Sequence, residues 1–220
     1  MKPDYEKAAT KAIETLIKHK ISSAPVSPLP ILKSLDGVFV VTYDAMSEAS
    51  GQDRQCVISM FGEKNQDAFT TVMMVEDKPR YLVTYNQHLS ANLAQRALAR
   101  ELGHIVLGHD GSLPEDVRNE EAKCFANHLL CPRPMIYSIK ALGIRVTTEV
   151  FGSLTGCYDH CLACMRRLPA VHVDPALNRM VKDQFTDYIV NFFHFYRSIL
   201  LHSDGAAVAD FGTFMDGYEE

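Results

Sequence analysis

The segment Arg100–His109 carries the residue types that are best suited to chemistry in this chain. It reads RELGHIVLGH, and a helix over it places Glu101 inside the edge of an apolar face. That face is formed by Ala94, Leu98, Leu102 and Ile105. A carboxylate at such an edge is costly without a partner. His104 and Arg100 share its flank, and imidazole and carboxylate groups are those that ligate metals or transfer protons. The pattern predicts a candidate site rather than a routine surface.

A second predicted helix, over residues 112–131, follows after a short loop. Its core face is formed by Ala122, Phe125, Ala126, Leu129 and Leu130. Glu121 borders this face, and His128 lies two turns along on the same flank. Two helices joined by a short loop pack antiparallel. We therefore expect Glu121 to face His104 and Glu101.

The sequence of these two helices resembles that of the ImmA/IrrE family of bacterial metallo-endopeptidases. That family has HExxH followed by Leu-Gly-His on one helix, and a Glu-Ala…Phe-Ala…Leu-Leu-x-Pro run on the next. The matching sequences in this chain are RELGHIVLGH at 100–109 and EAKCFANHLLCP at 121–132. The N-terminal helix, a Pro-rich connector, the strands and Tyr85-Asn86 are also similar, so the resemblance spans residues 5–168.

The resemblance implies a zinc-dependent enzyme that hydrolyses a peptide bond in a protein substrate. Substrates in this family are typically repressors or regulators linked to mobile elements or stress. In such an enzyme both HExxH histidines bind zinc, and the glutamate between them is the general base on the zinc-bound water. Carried onto this chain, the resemblance gives Glu101 the catalytic position, His104 the second metal ligand and Glu121 the third.

The first histidine of the motif is replaced by Arg100, which has no lone pair for zinc. One hypothesis is that the Arg100 guanidinium partly replaces the metal and pairs with Glu121 or Glu101. The other is ligand rescue, in which His109 or His128 completes a shifted site; for His109 this requires the end of the helix to unwind. The protein is accordingly either a zinc peptidase impaired by Arg100 or a degenerate pseudopeptidase, which binds proteins or regulates transcription.

The pattern of elements predicts an α+β fold, in which a zincin-like helix pair packs on a small antiparallel sheet and further helices follow. A helix over 4–20 and an extended, Pro-rich connector come first. Strand-like runs rich in Val, Ile, Thr, Tyr and Phe then cover 37–43, 56–61, 68–75 and 80–85. Short breaks between these runs favour antiparallel pairing.

Two domains are predicted. Residues 1–168 form the peptidase-like domain, in which 134–168 is helical and resembles a helix-turn-helix. Residues 169–220 contain one long helix over 175–201 and an acidic tail. The wide aromatic face of that helix predicts either docking onto the protein's own core or a homodimer surface.

Three cysteines in the predicted helix 157–168 have the spacing CxxxCxxC, which also occurs in iron–sulfur loops. Cys157, Cys161 and Cys164 share one helix face with Leu168, so we interpret them as a core stripe rather than a cluster site.

Charge and hydropathy exclude several classes of function. The 220 residues include 22 basic and 27 acidic ones, which gives a net charge of −5. The acidic excess resides in the last eighteen residues, so the remainder is neutral and lacks the basic surplus typical of nucleic-acid binding. No apolar run is long enough for a membrane span. Without an export signal, we expect reduced cysteines and a cytoplasmic location.

Overall fold

A computed structural model describes residues 1–60, 67–156 and 171–202 of the chain. Contacts divide the chain into two compact units. The first unit comprises Met1–Asp4 and Ser27–Ala126; the second comprises Tyr5–Val26 and the described residues from Asn127 onward.

The elements are numbered here in chain order. They are α1 (Tyr5–Lys18), α2 (Pro28–Ser34), β1 (Val38–Thr42), α3 (Tyr43–Ser50), α4 (Arg54–Met60), β2 (Ala68–Val75), β3 (Lys78–Tyr85), α5 (Ala91–Leu107), α6 (Glu115–Leu130), α7 (Arg133–Ala141), α8 (Thr148–Thr155), α9 (Pro175–Gln184) and α10 (Thr186–His202).

The first unit is built on a mixed three-stranded sheet with the strand order β1-β3-β2. Strands β2 and β3 form an antiparallel hairpin, in which Thr70 lies opposite Val83. Strand β1 is parallel to β3, with Val40 opposite Val83. The predicted α+β class is confirmed, but the antiparallel pairing is wrong for β1. Two helices and a strand separate β1 from β3, and that length allows a parallel crossover.

Residues 56–61 were predicted as a strand, and the structure shows helix α4 over Arg54–Met60 instead. Asp53 begins the helix: its carboxylate accepts from the Gln55 N–H (2.8 Å) and its carbonyl from the Val57 N–H (3.0 Å). Within Arg54–Met60, only Val57 and Ile58 are buried. Periodicity cannot distinguish a strand from a helix in so short an apolar run.

The Pro-rich connector was predicted to be extended, but part of it is helical. Pro28 and Pro30 lie in the first turn of α2. Proline is tolerated there because the first N–H groups of a helix have no intrahelical partner. The prolines thus start a helix rather than exclude one.

Helices α5 and α6 form the predicted pair and approach closely at Gly103. A Cβ atom on Gly103 would lie 3.0 Å from Phe125 Cδ1 and 3.3 Å from Ala122 Cα. A larger residue at Gly103 would force these neighbours to shift, so glycine permits this close approach of the two helices. Helix α5 also packs on β2, β3 and α2, so one face of the pair rests on the sheet.

The second unit is helical, and α1 packs on α9 through its buried face. Gln184 Nε2 donates to the carbonyl of Leu16 (2.9 Å). The long helix predicted over 175–201 is interrupted at Phe185, between α9 and α10. Next to the break, Thr186 Oγ1 donates to the Lys182 carbonyl (3.1 Å), a side-chain bond of the kind that competes with the helical backbone.

Helices α7 and α8 lie in the region predicted to resemble a helix-turn-helix. The predicted helix 157–168, with its three cysteines, and the acidic tail 203–220 lie outside the described residues. Within the described ranges, no helix combines the length and the apolar character needed to cross a bilayer.

Candidate functional site

Glu101 is buried on α5, with only 8% of its surface exposed. Its Oε2 accepts a hydrogen bond from Thr70 Oγ1 on β2, at 2.7 Å. Burial raises the pKa of the Glu101 carboxyl, while the Thr70 hydrogen bond and the Arg100 charge act to lower it. The carboxyl is held near the sheet in an environment that favours its protonated form.

The end of α5 brings His109 back against His104. The helix ends at Leu107, and Gly108 adopts the left-handed conformation with φ of 68°. The His109 N–H then donates to the His104 carbonyl (3.0 Å). The two rings meet edge to face, and a hydrogen bond joins their Nδ1 atoms at 2.9 Å. The chain therefore leaves the helical path before His109, which is the unwinding that the ligand-rescue hypothesis requires.

Glu121 on α6 forms a hydrogen bond with the other ring nitrogen of His109. His109 Nε2 lies 3.0 Å from Glu121 Oε2, and the two side chains are only 2% and 5% exposed. Glu121 Oε1 accepts from the Asp4 N–H at 2.8 Å. The structure thus links His104 to Glu121 through His109, in a chain of hydrogen bonds that is buried at its centre and ends on the backbone near the N-terminus.

Proton positions in this chain follow from its acceptors. A carboxylate only accepts, so His109 Nε2 carries the proton that is donated to Glu121. When His109 is neutral, its Nδ1 accepts from the Nδ1–H of His104. The lone pair of the His104 ring then resides on Nε2. Of the four ring nitrogens in the two histidines, one remains available to a further ligand.

Arg100 and Arg118 make the surroundings of His104 electropositive. Burial, followed by electrostatic interactions with His109, Arg100 and Arg118, lowers the pKa of His104 to about 3. The Nε atoms of both arginines are buried without a hydrogen-bond partner. The structure shows no ion pair between Arg100 and either Glu101 or Glu121 among the described residues, so the predicted pairing is not formed. Arg100 acts on the site through its electrostatic field.

The side chains at the zinc position do not fit a catalytic zinc ion. Catalytic zinc normally takes three protein ligands. Arg100 cannot ligate, and His109 directs both of its ring nitrogens to other side chains. Two donors remain, namely His104 Nε2 and the Glu121 carboxylate. Among the described residues, no three His, Cys, Asp or Glu side chains are grouped so as to hold a metal ion. Burial, more than charge, keeps His104 neutral, and the positive charges of Arg100 and Arg118 beside it also oppose a dication.

His128, the other rescue candidate, belongs to the second unit. It is 3% exposed, and its Nε2 has no hydrogen-bond partner. Burial, followed by the charge of Arg133, lowers its pKa to about 3.

Sequence reasoning did not single out three residues that contact or influence the site. Thr70 lies in a predicted strand, but no motif marks it as the partner of Glu101. Asp4 reaches Glu121 across 117 positions of sequence, which no local pattern reveals. Arg118 lies on the same helix as Glu121, and its helical position was the one available signal.

The fold is α+β, and its helix pair carries the predicted site residues on both helices. Residues 58–154 match the family model of the IrrE N-terminal-like domain, Peptidase_M78. This region of the chain is therefore metallopeptidase-like, and the match confirms the resemblance to the ImmA/IrrE family drawn from its two helices. Comparisons with curated proteins and with solved structures found no match.

Proposed function

We propose that this protein binds a regulatory protein at its metallopeptidase-like site and does not carry out zinc-dependent hydrolysis. The supporting observation is the set of side chains at the zinc position. Arg100 replaces one ligand, and His109 links His104 to Glu121 with both ring nitrogens. What remains is one ligand short of a catalytic zinc site.

The charge at the site suits a protein partner better than a metal. Burial is the largest cause of the lowered pKa of His104, and the charges of Arg100 and Arg118 lower it further, so added positive charge is disfavoured there. The same field attracts a carboxylate. A guanidinium pairs with carboxylates in a fixed geometry, so an acidic side chain of the partner is the group we expect at this position.

Strand β2 supplies a surface for such a partner. It is an edge strand in the order of the described strands, and its last four residues are exposed. They are Val72, Met73, Met74 and Val75, which are 44%, 49%, 67% and 45% exposed. An edge strand offers unpaired backbone groups to an extended segment, and methionine side chains adapt to varied partners. The same strand carries Thr70, which contacts Glu101.

Metal content tests the absence of a zinc site. We expect purified protein to hold far less than one zinc per chain, and Arg100→His to acquire about one, because the histidine restores a third ligand. The double variant Arg100→His/His104→Ala is the control and should lose the metal again. Stoichiometric zinc in the unmodified protein would contradict the proposal.

Site-specific photo-crosslinking in cells tests the partner surface. A photoreactive residue at Met74 should trap a defined protein partner, and the added change Arg118→Glu should weaken the trapping, because it reverses a charge at the site. The matched control places the same residue at Met180, which is 50% exposed in the second unit. Equal trapping at both positions would contradict the proposed surface.

A second candidate function is an active zinc endopeptidase that uses His109 as the replacement ligand. It is favoured by one observation, namely that the Gly108 turn places His109 against both His104 and Glu121. It predicts stoichiometric zinc that is lost in His109→Ala and retained in His128→Ala. Our proposal predicts little zinc in the unmodified protein and in both variants.

A further inference from the structure

The second unit contains a cavity of about 680 Å³ that the proposed function does not use. Its walls come from α1, the C-terminal end of α6, α7, α9 and the residues 171–173. Binding sites for small molecules in proteins span roughly 300–1,000 Å³, so this cavity suits a ligand of nucleotide size rather than a bare ion.

The lining of the cavity is cationic. Arg133 opens α7 at one wall, and Arg179 and Lys182 lie one turn apart on α9. Neither Asp nor Glu occurs among the described residues that line it. Neither Arg179 nor Lys182 has a carboxylate partner in the described part of the chain. The positive end of the α7 dipole adds to the same field. Such a lining attracts an anion with several negative oxygens.

A buried polar atom without a partner lies at the same cavity. His128 lines it, is 3% exposed, and has an Nε2 atom without a hydrogen-bond partner. A buried polar atom without a partner is costly, so proteins rarely retain one without a reason. Burial lowers the pKa of His128 to about 3, and its neutral ring provides one N–H donor. Oxygen atoms of a bound anion would complete its hydrogen bonding.

Much of the remaining lining is aliphatic or aromatic. Ile13, Pro134 and Val173 contribute aliphatic surface, and Tyr137 contributes an aromatic ring. Asn178 adds a polar amide at the cavity wall. A ligand that fills this volume therefore combines a negatively charged group with an organic body.

We propose that this cavity binds a small phosphorylated metabolite of nucleotide size. Its phosphate would lie among Arg133, Arg179, Lys182 and His128, and its organic part would pack against Tyr137. Phosphate fits better than a single carboxylate because three cations and a helix N-terminus converge on it. The proposal is independent of the zinc question, since it rests on side chains of the second unit alone.

Isothermal titration calorimetry on the full chain tests this site, with inorganic phosphate, adenosine 5′-diphosphate and adenosine as probes. We expect saturable binding of the diphosphate, weaker binding of phosphate and no binding of adenosine. The double variant Arg179→Ala/Lys182→Ala should weaken diphosphate binding about tenfold or more, since it removes two charge-assisted contacts. Lys18→Ala, an exposed lysine of the same unit outside the cavity, is the matched control and should bind normally.

Three results would overturn the proposal. They are the absence of saturable binding by both phosphate-bearing probes at millimolar concentration, equal binding of adenosine and the diphosphate, and equal affinities in the double variant and Lys18→Ala. A single-stranded oligonucleotide that binds more tightly than the diphosphate, with the same loss in the double variant, would assign the cavity to nucleic acid instead. The variants alter exposed side chains, so we expect them to fold normally. Circular dichroism before the titration verifies this.

Discussion

The Nε2 atom of His109 lies 3.0 Å from Oε2 of Glu121, and both side chains are almost completely buried. The family resemblance assigns Glu121, one partner of this contact, as a metal ligand. His109 reaches Glu121 because the helix that carries His104 ends at Leu107 and the chain reverses direction at Gly108. The site is consequently a hydrogen-bonded chain between two helices, and its stability can be measured without a substrate.

Removal of the Glu121 carboxylate should destabilise the protein. In Glu121→Ala, the buried His109 Nε2–H and the Asp4 N–H both lose their acceptor, so we expect a loss of about 2–4 kcal/mol in the free energy of unfolding. Glu121→Gln keeps one amide oxygen and should lose less. Urea denaturation measures both. The neighbouring Glu120 is the control, because its pair with Lys123 is exposed and Glu120→Ala should stay within about 0.5 kcal/mol. Equal effects at both positions would argue against the buried chain.

The turn at Gly108 should tolerate few other residues. Gly108 has φ of 68°, and a Cβ atom there would meet no neighbour within 4 Å. The cost of Gly108→Ala is therefore conformational, about 1–2 kcal/mol, and Gly108→Asn should cost less because asparagine adopts the left-handed region more readily. Thermal unfolding of the two variants checks this order. If alanine were tolerated as well as asparagine, the left-handed turn would be absent in solution.

The hydroxyl of Thr70 should control the ionisation of Glu101. Thr70→Val keeps the shape of the side chain and removes the hydrogen bond to Oε2. Because that bond lowers the pKa of the Glu101 carboxyl, the variant should titrate at a higher pH than the unmodified protein. Carbon-13 NMR of the carboxyl group measures the shift. Thr71→Val, one residue along the same strand, is the control and should leave the titration unchanged.

Stability should fall in acid partly because of His128. Its pKa is about 3 in the folded protein and 6.5 as the model-peptide value, so between these values the unfolded state binds a proton that the native state does not. The free energy of unfolding therefore drops by about 1.4 kcal/mol per pH unit as the pH falls below 6.5, and this contribution is fully present above it. His128→Gln removes it. Urea denaturation at pH 7 and pH 5 should show a smaller pH dependence in the variant; identical slopes would contradict the assigned burial.

Much of the first unit could be predicted from the sequence, because its signals are local. The periodicity of Ala94, Leu98 and Leu102 predicts α5, and the sequence around Glu121 predicts α6. The short loop between them is enough to predict a facing pair. The strand prediction for residues 56–61 was wrong because a short apolar segment has the same composition in a helix and in a strand.

The contacts within the site depend on distant residues and on backbone geometry. Asp4 reaches Glu121 only because the folded chain returns there. The position of His109 depends on the conformation of Gly108, which helical projection of the sequence cannot supply. Whether Arg100 forms an ion pair is likewise a matter of tertiary geometry, and the spacing alone left the choice open.

Imidazole nitrogen-15 NMR during a zinc titration tests the central claim most directly, because it reports on His104 and His109 themselves. We predict that an equimolar amount of zinc leaves the ring resonances of both residues in place, since each His109 nitrogen already has a partner and the surrounding charge is positive. In Arg100→His, the His104 resonances should shift and saturate at about one equivalent. Saturable shifts of both residues in the unmodified protein at one equivalent would contradict the claim and establish a zinc site that includes His109.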